Sequence, residues 1–338
     1  MPNAVAPEPP PVIGVVVPCY NEAPILRRTA ARLGEELAAL ERDGLIAAGS
    51  RVVFVDDGSR DATWDEIAAL VRSGGPFAGV RLTRNFGHQY ALYAGLMIAP
   101  GDALVSLDAD LQDDVGAIRE MLRAFAAGNE IVYGVRSDRS SDTRFKRTTA
   151  ALHYRLSAWL GVETVADHAD FRLMSRRAIT LLAQYRESNL YLRGIVPLLG
   201  LRSCSVSFRR APRIGGESKY GLARMLSLAL RGLTSFSIVP LRFITGMGLA
   251  VFVVSLLMGA WALGAALWDE RAVPGWASTV IPIYLLGGLQ LLAIGVAGEY
   301  IGKTYMEVKN RPLFLVDEVR GLEPAAADGG ADGPRAGR

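Results

Sequence analysis

The first 134 residues alternate short apolar runs with amphipathic stretches, which is the pattern of an α/β domain. A β-branched run at 12–17 ends at Pro18, and a second run at 51–55 ends in a series of acids. Short, continuous apolar runs of this kind are typical of buried parallel strands. The helical periodicity of 23–41 between them predicts a βαβ unit. The alternation continues with predicted helices at 61–73, 88–98 and 115–127 and predicted strands at 80–82, 103–107 and 130–134.

Two long apolar stretches near the C-terminus, 243–268 and 276–298, contain no Asp, Glu, Lys or Arg. Their 26 and 23 residues are enough for helices that cross a membrane, since a hydrocarbon core of about 30 Å requires roughly 20 residues. The short linker 269–275 allows only a tight turn between antiparallel helices. We therefore predict a two-helix transmembrane hairpin after the α/β domain. The alternative is a pair of buried helices in a large soluble core.

Basic residues flank the predicted hairpin on both sides, whereas its linker holds one Arg against two acids. By the positive-inside rule both flanks are cytoplasmic. The basic excess lies just before the membrane, where anionic lipid or a phosphorylated lipid substrate would be met. The N-terminus has neither the basic nor the apolar region of a signal peptide, so the head is expected to stay in the cytoplasm. Cys19 and Cys204, the two cysteines of the chain, are expected to be free thiols there.

These patterns divide the chain into successive parts. Its 338 residues leave room for one large α/β domain but not for a second independent one. Both termini are rich in Pro, Ala, Gly and Asp, which predicts disorder. The stretch before the first span has the basic amphipathic character of an interfacial helix. The predicted parts are a disordered N-terminus (1–11), the α/β domain (12–210), a loop with amphipathic juxtamembrane helices (211–242), the two spans, a cytoplasmic segment that returns to the head (299–320) and a disordered tail (321–338).

Polar clusters follow the first two predicted strands, at the edge where open α/β sheets bind ligands. They contain Pro18, Tyr20, Glu22, Asp56 and Asp57. No G-x-G-x-x-G follows the first strand, which disfavours a dinucleotide oxidoreductase. Acids in that place suit a nucleoside, whose base N–H groups and ribose hydroxyls need acceptors. The alternative is that Asp56 and Ser59 only build a turn and a helix cap.

A third cluster, Asp108-Ala109-Asp110-Leu111-Gln112, follows the predicted strand at 103–107. Carboxylates at positions i and i+2 of a strand point to the same side. With the amide oxygen of Gln112 they supply the hard oxygen ligands that Mg²⁺ or Mn²⁺ prefers. Such a cation would bridge two phosphates of a nucleotide. Asp108, Asp110 and Gln112 are therefore the predicted metal ligands.

Six motifs together resemble those of family 2 glycosyltransferases with a GT-A (Rossmann-like) fold. They are Pro18-Cys19-Tyr20-Asn21-Glu22, the stretch 55–63, Arg84-Asn85-Phe86-Gly87-His88, the stretch 108–112, Tyr133-Gly134-Val135-Arg136 and the stretch 170–174. More narrowly, they are similar to the polyprenyl-phosphate glycosyltransferases, which include bactoprenol glucosyltransferases and dolichol-phosphate mannose synthases. The similarity covers about 13–313 and includes two C-terminal spans followed by the segment 299–303.

The resemblance implies a role for each matching residue. Base and ribose of the donor would be held by Pro18, Tyr20, Glu22 and Asp57, with further substrate contacts from Asp56, Arg84 and Asp108. Asp170 would lie near the reacting sugar, and together with Arg136 it is a predicted catalytic residue. The phosphates of donor or acceptor would be contacted by Arg136, Lys146 and Arg147. Arg213 and Lys219 lie in a glycine-bearing loop that is a further candidate for phosphate contact, whereas His88 is expected to begin a helix rather than to act as a catalyst.

The predicted reaction is metal-dependent transfer of a sugar, from UDP-glucose or a related UDP-sugar, to undecaprenyl phosphate at the cytoplasmic face of the bacterial inner membrane, with inversion. The attacking phosphate oxygen is already anionic at pH 7, so no Ser-His-Asp arrangement is required. The expected partners are the donor, the lipid phosphate, membrane lipid and a second copy of the chain through the hairpin, without nucleic acid. The alternatives are a GDP-mannose-dependent mannose synthase, a non-catalytic nucleotide-sugar scaffold, a processive polysaccharide synthase and a transporter.

Overall fold

The strands and helices predicted for the first half of the chain are present in the computed structural model. Each begins and ends within a few residues of its predicted position. The α/β architecture predicted from the alternating pattern is therefore confirmed. These elements are β1 (Ile13–Cys19), α1 (Ala23–Arg42), β2 (Arg51–Asp56), α2 (Thr63–Arg72), β3 (Phe77–Leu82), α3 (His88–Ile98), β4 (Ala103–Ser106), α4 (Ala117–Ala126) and β5 (Ile131–Arg136).

The structure describes residues 9–136, 168–185, 187, 190–208 and 276–322, with single positions between 244 and 257. The predicted juxtamembrane part 211–242, the linker 269–275 and most of the first predicted span lie outside these residues. So do 1–8 and 323–338 of the predicted disordered ends. The elements of the second half are β6 (His168–Ser175), α5 (Arg176–Leu182), α6 (Leu192–Leu198), β7 (Ser203–Phe208), α7 (Trp276–Val308) and β8 (Val316–Arg320).

The strands of the described residues form one eight-stranded sheet in the order β7-β5-β6-β4-β1-β2-β3-β8. β1 pairs in parallel with β2 and β4, and β2 pairs in parallel with β3. β6 runs antiparallel to β4 and β5, and β8 runs antiparallel to β3, so the sheet is mixed. Because β1 to β4 run in parallel, their carboxyl ends lie at one edge of the sheet.

Helices cover both faces of this sheet. α1, α2 and α4 pack on the face that carries Val17 and Phe54, and α3, α5 and α6 pack on the face that carries Val16 and Val53. Gly95 allows α3 to approach the strands closely, because a Cβ at this position would lie 2.3 Å from Val16 Cγ1. α3 therefore lies directly on the strands whose ends carry the polar clusters.

The C-terminal part of the chain contributes a long helix and the last strand of the sheet. α7 has 33 residues and contains the second predicted span. The chain then returns to the sheet, where β8 pairs with β3. Within the ranges described, no helix is long and apolar enough to cross a membrane, so the predicted transmembrane hairpin is not shown.

Candidate active site

Hydrogen bonds join the polar clusters after β1 and β2 into one surface. The backbone N–H of Asn21 donates to Ser59 Oγ at 2.9 Å, and Asn21 Oδ1 accepts from the N–H of Arg60 at 2.9 Å. The N–H of Glu22 donates to Thr63 Oγ1 at 2.9 Å. Asn21 has a φ of 55°, a left-handed conformation in which Asn is enriched. The first two predicted clusters therefore lie side by side.

The predicted donor residues after β1 differ in exposure. Pro18 is buried within the strand, whereas the side chain of Tyr20 is exposed. Glu22 is half-buried. Burial raises the pKa of Glu22, and the charges of Asp110 and Asp108 raise it further. The loop after β1 therefore offers an open aromatic ring next to a group of mutually repelling carboxylates.

Asp57 fixes the loop that follows β3. Its buried carboxylate accepts the backbone N–H of Phe86 at 2.7 Å and that of Gly87 at 2.8 Å. Burial raises the pKa of Asp57, although these hydrogen bonds favour its charged form. In the same loop, the exposed Arg84 places its guanidinium 3.9 Å above the ring of Phe86. Asp57 thus positions the loop, and its direct contact with the donor stays a prediction.

Asp56 closes the turn after β2. It has no exposed surface, and its Oδ1 accepts the backbone N–H of Ser59 at 3.1 Å. Its Oδ2 lies 3.8 Å from Arg81 Nε. Burial raises the pKa of this carboxyl. This is the turn-building arrangement that the sequence offered as an alternative, and the substrate contact of Asp56 stays a prediction.

Asp108 begins the loop that follows β4, and its side chain is 43% exposed. The loop is tied to α1, because Thr29 Oγ1 donates to the carbonyl oxygen of Ala109 at 2.8 Å. Asp110 Oδ1 accepts the backbone N–H of Gln112 at 3.2 Å. Gln112 itself is buried, so the two acids are the more accessible predicted ligands. The part of Gln112 as a third ligand stays a prediction.

No three His, Cys, Asp or Glu side chains of the described ranges are arranged to hold a metal ion by themselves. Burial raises the pKa of Asp108, and the charges of Asp170 and Asp110 raise it further, since neighbouring like charges disfavour ionisation. Mg²⁺ often takes only one or two protein carboxylates and completes its ligands from water and substrate phosphates. The acid pair therefore fits a cation that is shared with a phosphorylated substrate.

Asp170 lies close to Asp108 because β6 runs antiparallel to β4. The register pairs Ser106 with Arg172, so the start of β6 faces the end of β4. His88, the first residue of α3, lies between the two acids. Its Nε2 is 3.4 Å from Asp108 Oδ1 and 3.7 Å from Asp170 Oδ2. The ends of β4, β6 and α3 thus meet at one point.

A network of donors holds the buried carboxylate of Asp170. Arg193 Nε donates to one oxygen at 3.1 Å, and Arg193 Nη2 donates to the other at 3.0 Å. Arg172 Nη2 donates at 2.9 Å and Gln89 Nε2 at 3.2 Å. Burial opposes the charge, but the neighbouring His88, the hydrogen bonds from Arg193 and the charge of Arg172 hold the pKa of Asp170 well below its usual range. Asp170 is therefore a fixed anion.

Residues 14–182 match glycosyl transferase family 2. This range contains the clusters after β1, β2 and β4 and the anion at Asp170. The chain belongs to glycosyltransferase family 2. The predicted family, the GT-A-like α/β fold and the predicted enzyme class are therefore confirmed.

The relatives of this glycosyltransferase extend over nearly the whole chain. It is 47% identical over 309 residues to the uncharacterized glycosyltransferase YkoT of Bacillus subtilis (strain 168), with 91% of each chain covered. It is 40% identical over 312 residues to a prophage bactoprenol glucosyl transferase homolog of Escherichia coli (strain K12), with 91% and 99% covered. A solved structure of the mannosyltransferase PcManGT from Pyrobaculum calidifontis, in complex with GDP-Man and Mn²⁺, is 18% identical with a TM-score of 0.43 and covers 91% of this chain and 89% of that one.

Several predicted phosphate contacts of the glycosyltransferase lie where the structure does not describe the side chain. Arg136 ends β5 in register with Phe208 of β7, and only its backbone is described. The remaining predicted cations lie outside the described residues and are Lys146, Arg147, Arg213 and Lys219. Their contacts with phosphate stay predictions.

Two arginines of the glycosyltransferase site were not predicted from the sequence. Arg172 follows Asp170 by two positions and therefore lies on the same face of β6, which is a signal that the sequence contains. Arg193 belongs to α6 and lies 23 positions after its partner. No local pattern links the two residues. Its side chain is 42% exposed, so the guanidinium that holds Asp170 also reaches solvent.

Gly58→Ala should displace the loop after β3 and lower both stability and sugar transfer. Gly58 has a φ of 64°, and a Cβ there would lie 2.4 Å from the carbonyl carbon of Arg84 and 2.6 Å from the nitrogen of Asn85. The matched control is Gly74→Ala, where φ is 79° and no atom lies within 4 Å. The control should lose only about 1–2 kcal/mol from backbone strain. Thermal unfolding and initial rates test the difference, and equal losses in both variants would contradict it.

Proposed function

We propose that the protein transfers a sugar from a nucleotide-sugar to a polyprenyl phosphate, in a reaction that depends on Mg²⁺ or Mn²⁺. The observation that carries the proposal is the position of the accessible acids Asp108 and Asp110 at the carboxyl edge of the sheet, next to the fixed anion of Asp170. Relatives that are 40% identical over about nine-tenths of the chain are named bactoprenol glucosyl transferases. Those names support a polyprenyl phosphate as the acceptor and glucose as the sugar.

Asp108 and Asp110 would hold the cation. Both are oxygen donors, and the burial and repulsion that raise the pKa of Asp108 would be relieved by a positive charge. Two protein ligands are sufficient when substrate phosphates complete the coordination. When bound, the cation would neutralise the charge that develops on the departing nucleotide diphosphate.

The surface between the loops after β1 and β2 would bind the nucleoside. The exposed ring of Tyr20 offers a face on which a base can stack, and Glu22 offers a carboxylate acceptor for hydroxyl or N–H groups. Asp57 would act indirectly, by holding the loop that presents the exposed guanidinium of Arg84 to a phosphate. UDP-glucose is the proposed donor because of the glucosyl transferases among the relatives. GDP-mannose is the alternative.

The acceptor phosphate would attack the anomeric carbon directly. One of its oxygens forms the new bond to that carbon while the bond to the nucleotide diphosphate breaks, which inverts the anomeric centre. Because the phosphate is anionic at neutral pH, no proton has to be removed from it. The lowered pKa makes Asp170 a poor proton acceptor, so its role would be to orient Arg193 and to stabilise positive charge that develops on the sugar. The proposed contacts of the two phosphate groups are Arg136, Lys146, Arg147, Arg213 and Lys219.

We place the reaction at the cytoplasmic face of a bacterial membrane. The uncharged runs 243–268 and 276–298 are long enough for two spans, and their basic flanks favour a cytoplasmic head. The outward apolar side chains of α7 also support this location. Ile283, Ile294 and Ile301 are each more than 60% exposed, as expected for a helix that packs against lipid or against a second copy.

A transfer assay with the full-length protein tests the proposed function. Vesicles that contain the protein and undecaprenyl phosphate receive radiolabelled UDP-glucose or GDP-mannose, with Mg²⁺ or with excess EDTA, and the lipid products are separated by thin-layer chromatography. We expect a glucosylated lipid that forms only with the metal. Transfer from GDP-mannose alone would support the mannose synthase instead. Nucleotide-sugar binding without transfer would support the non-catalytic scaffold.

A further inference from the structure

Residues 313–322, which follow α7, contact the elements that carry the donor side of the site. We propose that this segment, the C-terminal strap, is a positioning element that holds the loop 83–87 in place for the donor. The strap lies more than 200 residues after that loop in the sequence and enters the sheet only after α7 has ended at Val308. The inference rests on the proposed function only in that loop 83–87 is taken as part of the donor site.

The backbone pairing between the strap and β3 ends where the loop 83–87 begins. β8 lies antiparallel to β3, and the pair Leu82 and Val316 is followed by a hydrogen bond from the N–H of Thr83 to the carbonyl oxygen of Leu315, at 3.0 Å. Asp57 holds the other end of the same loop through two backbone N–H groups. The loop is therefore fixed at both ends, at one by Asp57, which follows β2, and at the other by the strap.

A shared cation connects the strap to the turn after β2. Arg81 Nε lies 3.8 Å from Asp56 Oδ2 and 3.8 Å from Asp317 Oδ2 of the strap. Asp56 is fully buried and closes its turn through Ser59. Arg81 is 37% exposed, so water weakens each pairing without removing it. A change of charge at Asp317 would therefore alter the position of Arg81 and, through it, the surroundings of Asp56.

Side chains of the strap also pack on the helices beside the site. The ring of Phe314 meets the buried ring of Tyr93 edge to face, with 6.2 Å between centroids. Tyr93 belongs to α3, the helix that begins at His88 next to Asp108. The strap thus contacts β3 and α3, and both elements adjoin the loop 83–87.

A purely protective role is the alternative, because a strand at the edge of a sheet also covers unpaired backbone groups. A strand that only covers the edge would change the stability of the whole sheet evenly. A positioning strap should instead change the local opening of the loop and the affinity for the donor. Local opening can be measured separately from global unfolding by amide hydrogen exchange.

The experiment compares full-length Asp317→Arg with Asp65→Arg, a matched substitution of an exposed acid on α2. The measurements are hydrogen exchange of residues 83–87 by mass spectrometry, and KM for the nucleotide-sugar and kcat for transfer. In Asp317→Arg we expect exchange in the loop to accelerate about tenfold and KM to rise severalfold, with kcat and the exchange of β1 little changed. In Asp65→Arg we expect neither change.

A second comparison uses two truncated chains. One stops after Asn310 and lacks the strap, and the other stops after Leu322 and retains it. The shorter chain should show the larger change in both measurements. The proposal is overturned if loop exchange and KM stay at wild-type values in both Asp317→Arg and the shorter chain. It is also overturned if exchange accelerates evenly across the sheet while KM is unchanged. A wild-type protein that transfers no sugar would refute the proposed function, and the exchange comparison would still decide whether the strap holds the loop.

Discussion

Replacing Asp110 with alanine is expected to lower the rate of sugar transfer by about 10³-fold, a loss of roughly 4 kcal/mol of transition-state stabilisation. The reason is that Asp110 and Asp108 supply the accessible carboxylates of the proposed cation site, and the cation would neutralise the departing diphosphate. Binding of Mn²⁺ in the presence of nucleotide, followed by electron paramagnetic resonance, should weaken in parallel. Initial rates over a titration of Mg²⁺ measure the loss of activity.

Asp114→Asn is the matched control for this substitution. Asp114 is an exposed acid of the same run, and its Oδ1 accepts the backbone N–H of Gly116 at 3.0 Å. Asparagine removes the charge and keeps that acceptor, so rate and Mn²⁺ binding should stay close to those of the wild type. Full turnover in excess EDTA, or an Asp110→Ala enzyme with normal Mn²⁺ affinity, would show that the cation is not held here.

Asp170→Asn is expected to destabilise the protein by about 3–5 kcal/mol, because it leaves the buried charge of Arg172 without its carboxylate. Arg172 is 1% exposed and Asp170 is 6% exposed, so water cannot replace the lost interaction. Arg193 loses both of its hydrogen bonds to an anion. We expect the thermal midpoint of the full-length protein to fall by about 10 °C and sugar transfer to fall strongly as well.

The effect of Asp170→Asn should depend on pH in a defined direction. The folded state holds the pKa of Asp170 below its ordinary value of about 3.9. A carboxyl with a lowered folded pKa stabilises the fold above its unfolded pKa, and this contribution is lost as pH falls through the folded value. The gap in thermal midpoint between wild type and variant should therefore narrow below about pH 4. It should also narrow as pH rises and His88 loses its proton, because Asp170 raises the pKa of His88 and the protonated form is the one that the pair stabilises.

An exposed ion pair provides the control. Arg123 and Glu120 lie 2.6 Å apart with side chains 59% and 55% exposed, and Arg123→Gln should change the thermal midpoint very little. An Asp170→Asn protein that unfolds at the wild-type temperature would contradict the assignment of a buried ion pair. A gap that widens as pH falls below about pH 4 would contradict the sign of the pKa shift of Asp170.

The amino-acid sequence alone was sufficient to predict the strands, the three polar clusters and the family. Strand ends could be located because buried parallel strands are continuous apolar runs, so the change to Asp56 and to Asp108 marks the edge of the sheet. Parallel pairing then brings these ends together without further information, as the register of β1 with β2 and β4 confirms. The family followed from several motifs in a fixed order, and the match of residues 14–182 confirms it.

Only the tertiary structure decided which acids remain accessible and which partners they have. Asp56 and Asp57 are buried and accept backbone N–H groups of nearby loops, whereas the side chain of Asp108 is 43% exposed, a difference that depends on packing and not on local sequence. Arg193 reaches Asp170 across 23 positions, and Glu318 of the strap accepts from Trp64 across 254. Contacts of this kind leave no period or spacing in the sequence, because chain folding and not the neighbouring residues determines which side chains meet. The sequence by itself determined which positions along the chain carry the candidate site residues. The fold decided which of their charged side chains are buried and which residues pair with them.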